Sequence, residues 1–148
     1  MPVGAIDILL VENNLTEVDL ILRVLRQSIP LRRIHVAHSG EEALEYLLHV
    51  DGDCPSQCRP KLILLDLKLG KVDGLAVLLA VKNDLRTKSI PVVVFTSSLE
   101  EKDLTNSYDL GANSYIQKPV NFDEFRETVK QLSLYWLRVN RPLPAIVS

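Results

Sequence analysis

The sequence has no excess of positive charge. Seventeen Lys and Arg face nineteen Asp and Glu, for a formal net charge of -2 and a pI of about 5.9. Binding nucleic acid through its phosphates usually needs a basic surface, so direct DNA binding is not expected. The short clusters Arg32-Arg33 and Arg138/Arg141 do not change that balance. No apolar run approaches the roughly 18 residues needed to span a bilayer. The N-terminus has no basic segment followed by an apolar stretch, the mark of a signal peptide. A cytoplasmic protein without a membrane partner is therefore expected. Cysteine is scarce, with only Cys54 and Cys58 in Cys-Pro-Ser-Gln-Cys. A zinc site usually needs four ligands, and His49 is the only other soft candidate nearby. Two reduced thiols in a loop are the ordinary reading, with a local disulfide or an adventitious metal site as the alternative.

What is present suits one globular domain. The chain has 148 residues, enough for a single buried core. Residues 1–140 read as that domain and 141–148 as a short tail with no output module. Runs at Ile6–Val11, Ile34–Ala37, Leu62–Asp66, Val92–Thr96 and Ser114–Gln117 read as strands. The strongest, Leu62-Ile63-Leu64-Leu65 and Val92-Val93-Val94-Phe95, are continuously apolar, which points to parallel strands covered on both faces.

Helical patterns alternate with these strands. Residues 15–27 place Val18, Ile21, Leu22 and Leu25 on one face. Ser39 and Glu42 have capping-box spacing before Ala43, Leu44, Leu47 and Leu48. Leu75, Leu78 and Leu79 share a face between Gly74 and Lys82. Ser98 and Glu101 repeat the capping-box spacing before a helix ending near Gly111. Asn121 can cap a last helix carrying Phe122, Phe125, Val129, Leu132 and Trp136, with Leu134, Tyr135 and Leu137 partly off that stripe. Such apolar surplus marks either a partner surface, here a homodimer interface, or a helix that extends past the sheet and packs against its own neighbours. Asp51–Pro60 is polar, with two Pro and one Gly, and reads as a surface loop.

Five β-α repeats predict an α/β fold, a five-stranded parallel sheet, doubly wound, with helices on both faces. Ligands of such sheets bind outside the carboxyl ends of the strands. Those ends carry Glu12 and Asn13, Asp66, Thr96 and Ser97, and Lys118 before Pro119. Singly each has an ordinary explanation, as a turn residue, a helix cap or a solvated lysine. Their gathering at one edge is much less expected by chance.

These residues sit in motifs that resemble the response-regulator receiver family. The motifs are Leu10-Val11-Glu12-Asn13-Asn14, Leu64-Leu65-Asp66-Leu67, Val72-Asp73-Gly74, Phe95-Thr96-Ser97-Ser98, Gly111-Ala112-Asn113 and Tyr115-Ile116-Gln117-Lys118-Pro119. Asn113–Pro119 and Tyr135-Trp136-Leu137 are more narrowly similar to stand-alone regulators that serve bacterial phytochrome-type kinases. The resemblance implies a flavodoxin-like, receiver-type fold and a phosphorelay switch. Asp66 would take a phosphoryl group from a sensor histidine kinase. Mg2+ would be held by Glu12, Asn13, Asp66 and the backbone carbonyl of Lys68. Lys118 would pair with the phosphoryl oxygens, its bond to Pro119 being cis. Thr96 and Tyr115 would be the switch residues. Output would be a protein contact built on the fourth helix, fifth strand and fifth helix, or onward transfer to a histidine phosphotransfer protein.

Three positions depart from the family pattern. Asn13 replaces the second carboxylate, which implies weaker magnesium binding. Lys68 places a lysine side chain near the acyl phosphate. Gly70 stands where proline is common and would loosen the loop. A degenerate receiver, acting as a phosphate-independent interaction module, is the competing reading. An aspartyl phosphatase of another α/β family would need a second Asp two residues after the first, where this chain has Lys68. A nucleotide-binding flavodoxin-like protein would need a Gly-rich loop in place of Glu12-Asn13-Asn14. The expectation is thus a signalling module and not a turnover enzyme.

Overall fold

The computed structural model describes residues 6–30, 33–48 and 59–143. Cys54, Cys58, His49 and most of the 51–60 loop lie outside these residues, as do 144–148. The elements are β1 (Ile8–Val11), α1 (Leu15–Leu25), β2 (Ile34–Ala37), α2 (Gly40–Leu47), β3 (Leu62–Leu65), α3 (Gly74–Asn83), β4 (Val92–Thr96), α4 (Glu101–Asp109), β5 (Ser114–Gln117) and α5 (Phe122–Leu134). The sheet is all parallel in the order β2-β1-β3-β4-β5.

Alternation along each strand builds a separate core on each face. Leu9, Val11, Ile63, Leu65, Val92 and Val94 pack with α2 and α3. Ile8, Leu10, Leu62, Leu64, Val93 and Phe95 pack with α1 and α5. Every residue of β1, β3 and β4 is buried. Two covered faces explain why these strands are apolar throughout. Each buried aliphatic side chain contributes roughly 1.5–3 kcal/mol.

Local chemistry sets the helix starts, with some departures from expectation. Asn14, Ser39, Asp73 and Asn121 each accept from a backbone N–H in the first turn of α1, α2, α3 and α5. The second capping box does not form. Ser98 instead donates to Asp103 Oδ2 at 2.5 Å and accepts from the Glu100 N–H, and α4 starts without a side-chain cap. On α3 the buried seam is Gly74, Val77, Leu78 and Val81. Leu79, four residues after Leu75, is turned outward at 47% exposure. Phe122 is likewise exposed, with the Arg126 guanidinium over its ring.

The chain after α5 widens into a π-helix, Tyr135–Val139, closed by an Asn140 N–H to Tyr135 carbonyl bond of 2.6 Å. The extra residue in that turn rotates the helix, so that both Trp136 and Leu137 pack on the α1/α5 core. Leu134, Tyr135 and Val139 stay exposed. Gly70 has φ +96, a region closed to proline, whose ring holds φ near -65°. The glycine is thus what this turn requires.

Candidate functional site

The chain leaves β1 for β2 on one side and reaches β3 on the other. A crevice therefore opens between the carboxyl ends of β1 and β3, where such sheets bind ligands. The ladder extends one residue past each strand end. The Glu12 N–H donates to the Ala37 carbonyl at 3.0 Å, Asp66 N–H to Val11 at 3.0 Å, and Lys118 N–H to Thr96 at 2.7 Å. These bonds fix the three backbones, so their side chains converge. Gly74 lets α3 start directly against the backbone of the acceptor residue: a Cβ there would lie 2.3 Å from the Asp66 carbonyl oxygen.

Lys118 sits at the centre and is 6% exposed. Its Nζ donates to Glu12 Oε1 at 2.7 Å and Asp66 Oδ2 at 3.1 Å, and also to Glu17 Oε1. No cis peptide bond occurs among the described residues. Lys118–Pro119 is therefore trans, not cis as the resemblance implied. The three carboxylates suffice to draw the ammonium inward. Burial opposes the Lys118 charge, but Asp66, Glu12 and Glu17 outweigh it and raise its pKa. Burial and the neighbouring Asp66 push Glu12 up to about 7, against the pull of Lys118. Both directions follow from one ammonium shared among three carboxylates.

The remaining expected residues divide. Thr96 is fully buried, and its hydroxyl accepts from the Ser98 N–H at 3.3 Å. Tyr115 has a buried hydroxyl without a hydrogen bond of good geometry. Burial raises its pKa, Ser98 works against the rise, and Asp103 and Glu100 add to it. The Lys68 side chain is exposed, and its N–H points to Asp66 Oδ1 at 3.4 Å. Asn13 is exposed, and its amide oxygen carries no formal charge. The member the sequence did not single out is Glu17, in the first turn of α1. Its only sequence signal is an acidic residue at a helix start, which the helix dipole explains by itself.

One oxygen each of Glu12, Glu17 and Asp66 lies within 4.8 Å of the others. Hard oxygen donors with formal negative charge to spare suit a divalent cation such as Mg2+. Asn113, from the fifth motif, serves the fold instead: its Oδ1 accepts from Lys82 Nζ at 3.0 Å and the Val92 N–H at 2.9 Å.

A doubly wound sheet with carboxylates and a buried lysine at its switch point defines a phosphoacceptor signalling module. Residues 8–130 match the model of the response regulator receiver domain, and the chain belongs to that family. It is 42% identical over 140 residues to a probable methanogenesis regulatory protein, FilR2, of Methanothrix harundinacea, covering 93% of this chain and 88% of that one. The response regulator Rcp1 of Synechocystis is 37% identical over 130 residues, 88% of each chain. Its manganese-bound form superposes with a TM-score of 0.84 at 34% identity, covering 93% of this chain and 98% of that one. The phosphorylated cyanobacterial phytochrome response regulator RcpA gives 0.85 at 36% identity, covering 95% and 100%. This chain is a response regulator of two-component signalling, whose general mechanism is phosphorylation of an aspartate. A histidine kinase is the partner this implies. Among the described residues no helix is long and apolar enough to cross a membrane.

Proposed function

We propose that Asp66 is the phosphoacceptor and that a phytochrome-type sensor histidine kinase is the donor. The observation that carries this reading is the Lys118 ammonium, buried against Asp66 at 3.1 Å in the switch-point crevice. In the transfer, an Asp66 carboxylate oxygen forms the new P–O bond as the P–N bond of phosphohistidine breaks, and the imidazole leaves with a proton. A carboxylate is a weak nucleophile, so positioning and charge neutralisation must supply the rate. Mg2+ held by Glu12, Asp66, Asn13 and the Lys68 carbonyl would neutralise the phosphoryl oxygens. Lys118 pairs with those oxygens through a charge-assisted bond of roughly 1.5–3 kcal/mol. Thr96 gives its hydroxyl to the phosphoryl group, and Tyr115 repacks with it. The phosphoryl group shifts the equilibrium only by contacts it makes in one arrangement and not in the other.

Docking has apolar support around the same edge. Leu15, Leu99, Val120 and Phe122, in the segments that follow β1, β4 and β5, are all exposed. The output surface is α4, β5 and α5, read by a protein target or a histidine phosphotransfer protein without direct DNA contact. Leu134, Tyr135 and Val139 offer a homodimer surface. Dimer mass in concentrated solution supports that assembly, and monomer mass overturns it. The protein works in the cytoplasm.

Intact mass after incubation with a small phosphodonor and Mg2+ tests the reading. The wild type gains one phosphoryl group, and Asp66→Ala or a chelator abolishes the gain. A wild type that stays unmodified, even with a cognate kinase, leaves the phosphate-independent interaction module in its place.

A further inference from the structure

We infer that Glu17 supplies the negative ligand that the site lacks at Asn13. The carboxylates holding the divalent cation would then be Glu12, Asp66 and Glu17, the last arriving from the first turn of α1, beside the neutral oxygens of Asn13 and the Lys68 carbonyl. This inference rests on the magnesium-assisted receiver reading above and adds a residue to it.

Two observations meet at Glu17. Asn13 follows β1 but is exposed, and its amide carries no charge. Glu17, in contrast, reaches back into the crevice: its carboxylate accepts from Lys118 across 101 residues of sequence. An oxygen of Glu17 lies within 4.8 Å of oxygens of both Glu12 and Asp66. It is 29% exposed against 2% and 8% for Glu12 and Asp66. It thus lines the mouth of the crevice, while the other two form its depth. Asn14 caps α1 by accepting from the Glu17 N–H at 3.0 Å, which fixes the backbone from which the side chain reaches inward.

Charge supports the same assignment. A neutral residue at 13 would leave Glu12 and Asp66 against Lys118, short of what a dication needs. With Glu17, three carboxylates face one ammonium, and two formal negative charges are left to match a divalent ion. Carboxylates are the ligand class that Mg2+ takes with its retained waters. The mouth position leaves room for those waters.

The test is Mn2+ binding to the intact protein, read from the free-ion EPR signal, with circular dichroism confirming the fold of each variant. Glu17→Gln should weaken binding by about tenfold or more, and Asn13→Ala by clearly less. Asn13→Asp placed in the Glu17→Gln protein should recover most of the loss, since it returns a carboxylate to the other position. The Glu17→Gln loss should also persist in a Lys118→Ala background. An effect that disappears there means that Glu17 only positions the lysine, which overturns the inference. A larger loss for Asn13→Ala than for Glu17→Gln overturns it as well. Absence of saturable Mn2+ binding in the wild type instead sinks the metal-assisted reading beneath it. Loss of binding in Asp66→Asn alone keeps that reading and removes Glu17 from it.

Discussion

The two edges of the sheet are electrostatic opposites. Among the described residues of the amino edge, one buried carboxylate, Asp7, meets two cations. Arg33 grips both of its oxygens at 2.9 Å, and Lys61 adds a contact at 3.4 Å. At the carboxyl edge three carboxylates share the single ammonium of Lys118. The amino-edge cations are 35% and 41% exposed and keep contact with water, whereas Lys118 is 5% exposed. The described amino-edge cluster has cations in excess, and the carboxyl edge is short of positive charge. Burial of ions does not separate structure from function here; the local balance of charge does.

Removing a lysine from the carboxyl edge should break the comparison most severely. Lys118→Ala leaves buried carboxylates without their cation, and stripping one partner from a buried pair costs about 3–5 kcal/mol. Urea unfolding in a chelator should show that loss, and phosphorylation should fail. Added Mg2+ should then stabilise the variant more than the wild type. A loss below about 1 kcal/mol, the range of exposed pairs, would mean that the crowded edge is no more costly than a surface one.

The pH response follows from Glu12. Its pKa rises from 4.5 to about 7 in the fold, so between those values the folded state holds a proton that the unfolded state has lost. Its contribution to stability is complete below 4.5 and disappears as pH rises through 7. Denaturant midpoints in a chelator should therefore fall across that window, and Glu12→Gln should flatten the fall. Saturating Mg2+ should flatten or invert it, because a metal takes the ionised carboxylate. An equal slope with and without Glu12 would remove it from the crowded set.

Gly74 tests how tightly the carboxyl edge is built. A methyl there meets the Asp66 carbonyl oxygen at 2.3 Å and Leu67 Cα at 2.5 Å. Both contacts are backbone of the Asp66–Leu67 segment, so no flexible side chain is there to yield. Gly74→Ala should cost about 1–3 kcal/mol, as overpacking does, and should slow phosphorylation by moving Asp66. Wild-type stability in that variant would show that α3 can shift without disturbing the acceptor.

Most of this architecture is legible in the sequence because it is local or periodic. The apolar runs of β3 and β4 follow from two covered faces, and the caps at Ser39 and Asn121 from orphan N–H groups in the first turn; the caps at Asn14 and Asp73 emerge only in the structure. Glu12, Asp66, Thr96 and Lys118 are visible because each ends or follows a strand on the same edge. What stays hidden depends on distant geometry. Glu17 looks like an ordinary acid at a helix start until Lys118 arrives from 101 residues away. Ser98 and Glu101 have capping spacing, but Asp103 takes the serine hydroxyl instead. Asp7 gains its meaning only when Arg33 and Lys61 close over it.

The smallest expected effect belongs to the lysine at the amino edge. Lys61→Ala removes a cation just as Lys118→Ala does, yet Arg33 still holds both Asp7 oxygens at 2.9 Å. The lost contact is long and well exposed, so water replaces it at a cost of about 0.2–1 kcal/mol. Urea midpoints should barely move, and neither Mn2+ affinity nor phosphorylation should respond, since the sheet separates the two edges. A loss approaching that of Lys118→Ala would mean that Asp7 needs both cations, and the amino edge would then be as dependent on each of its charges as the carboxyl edge is on one.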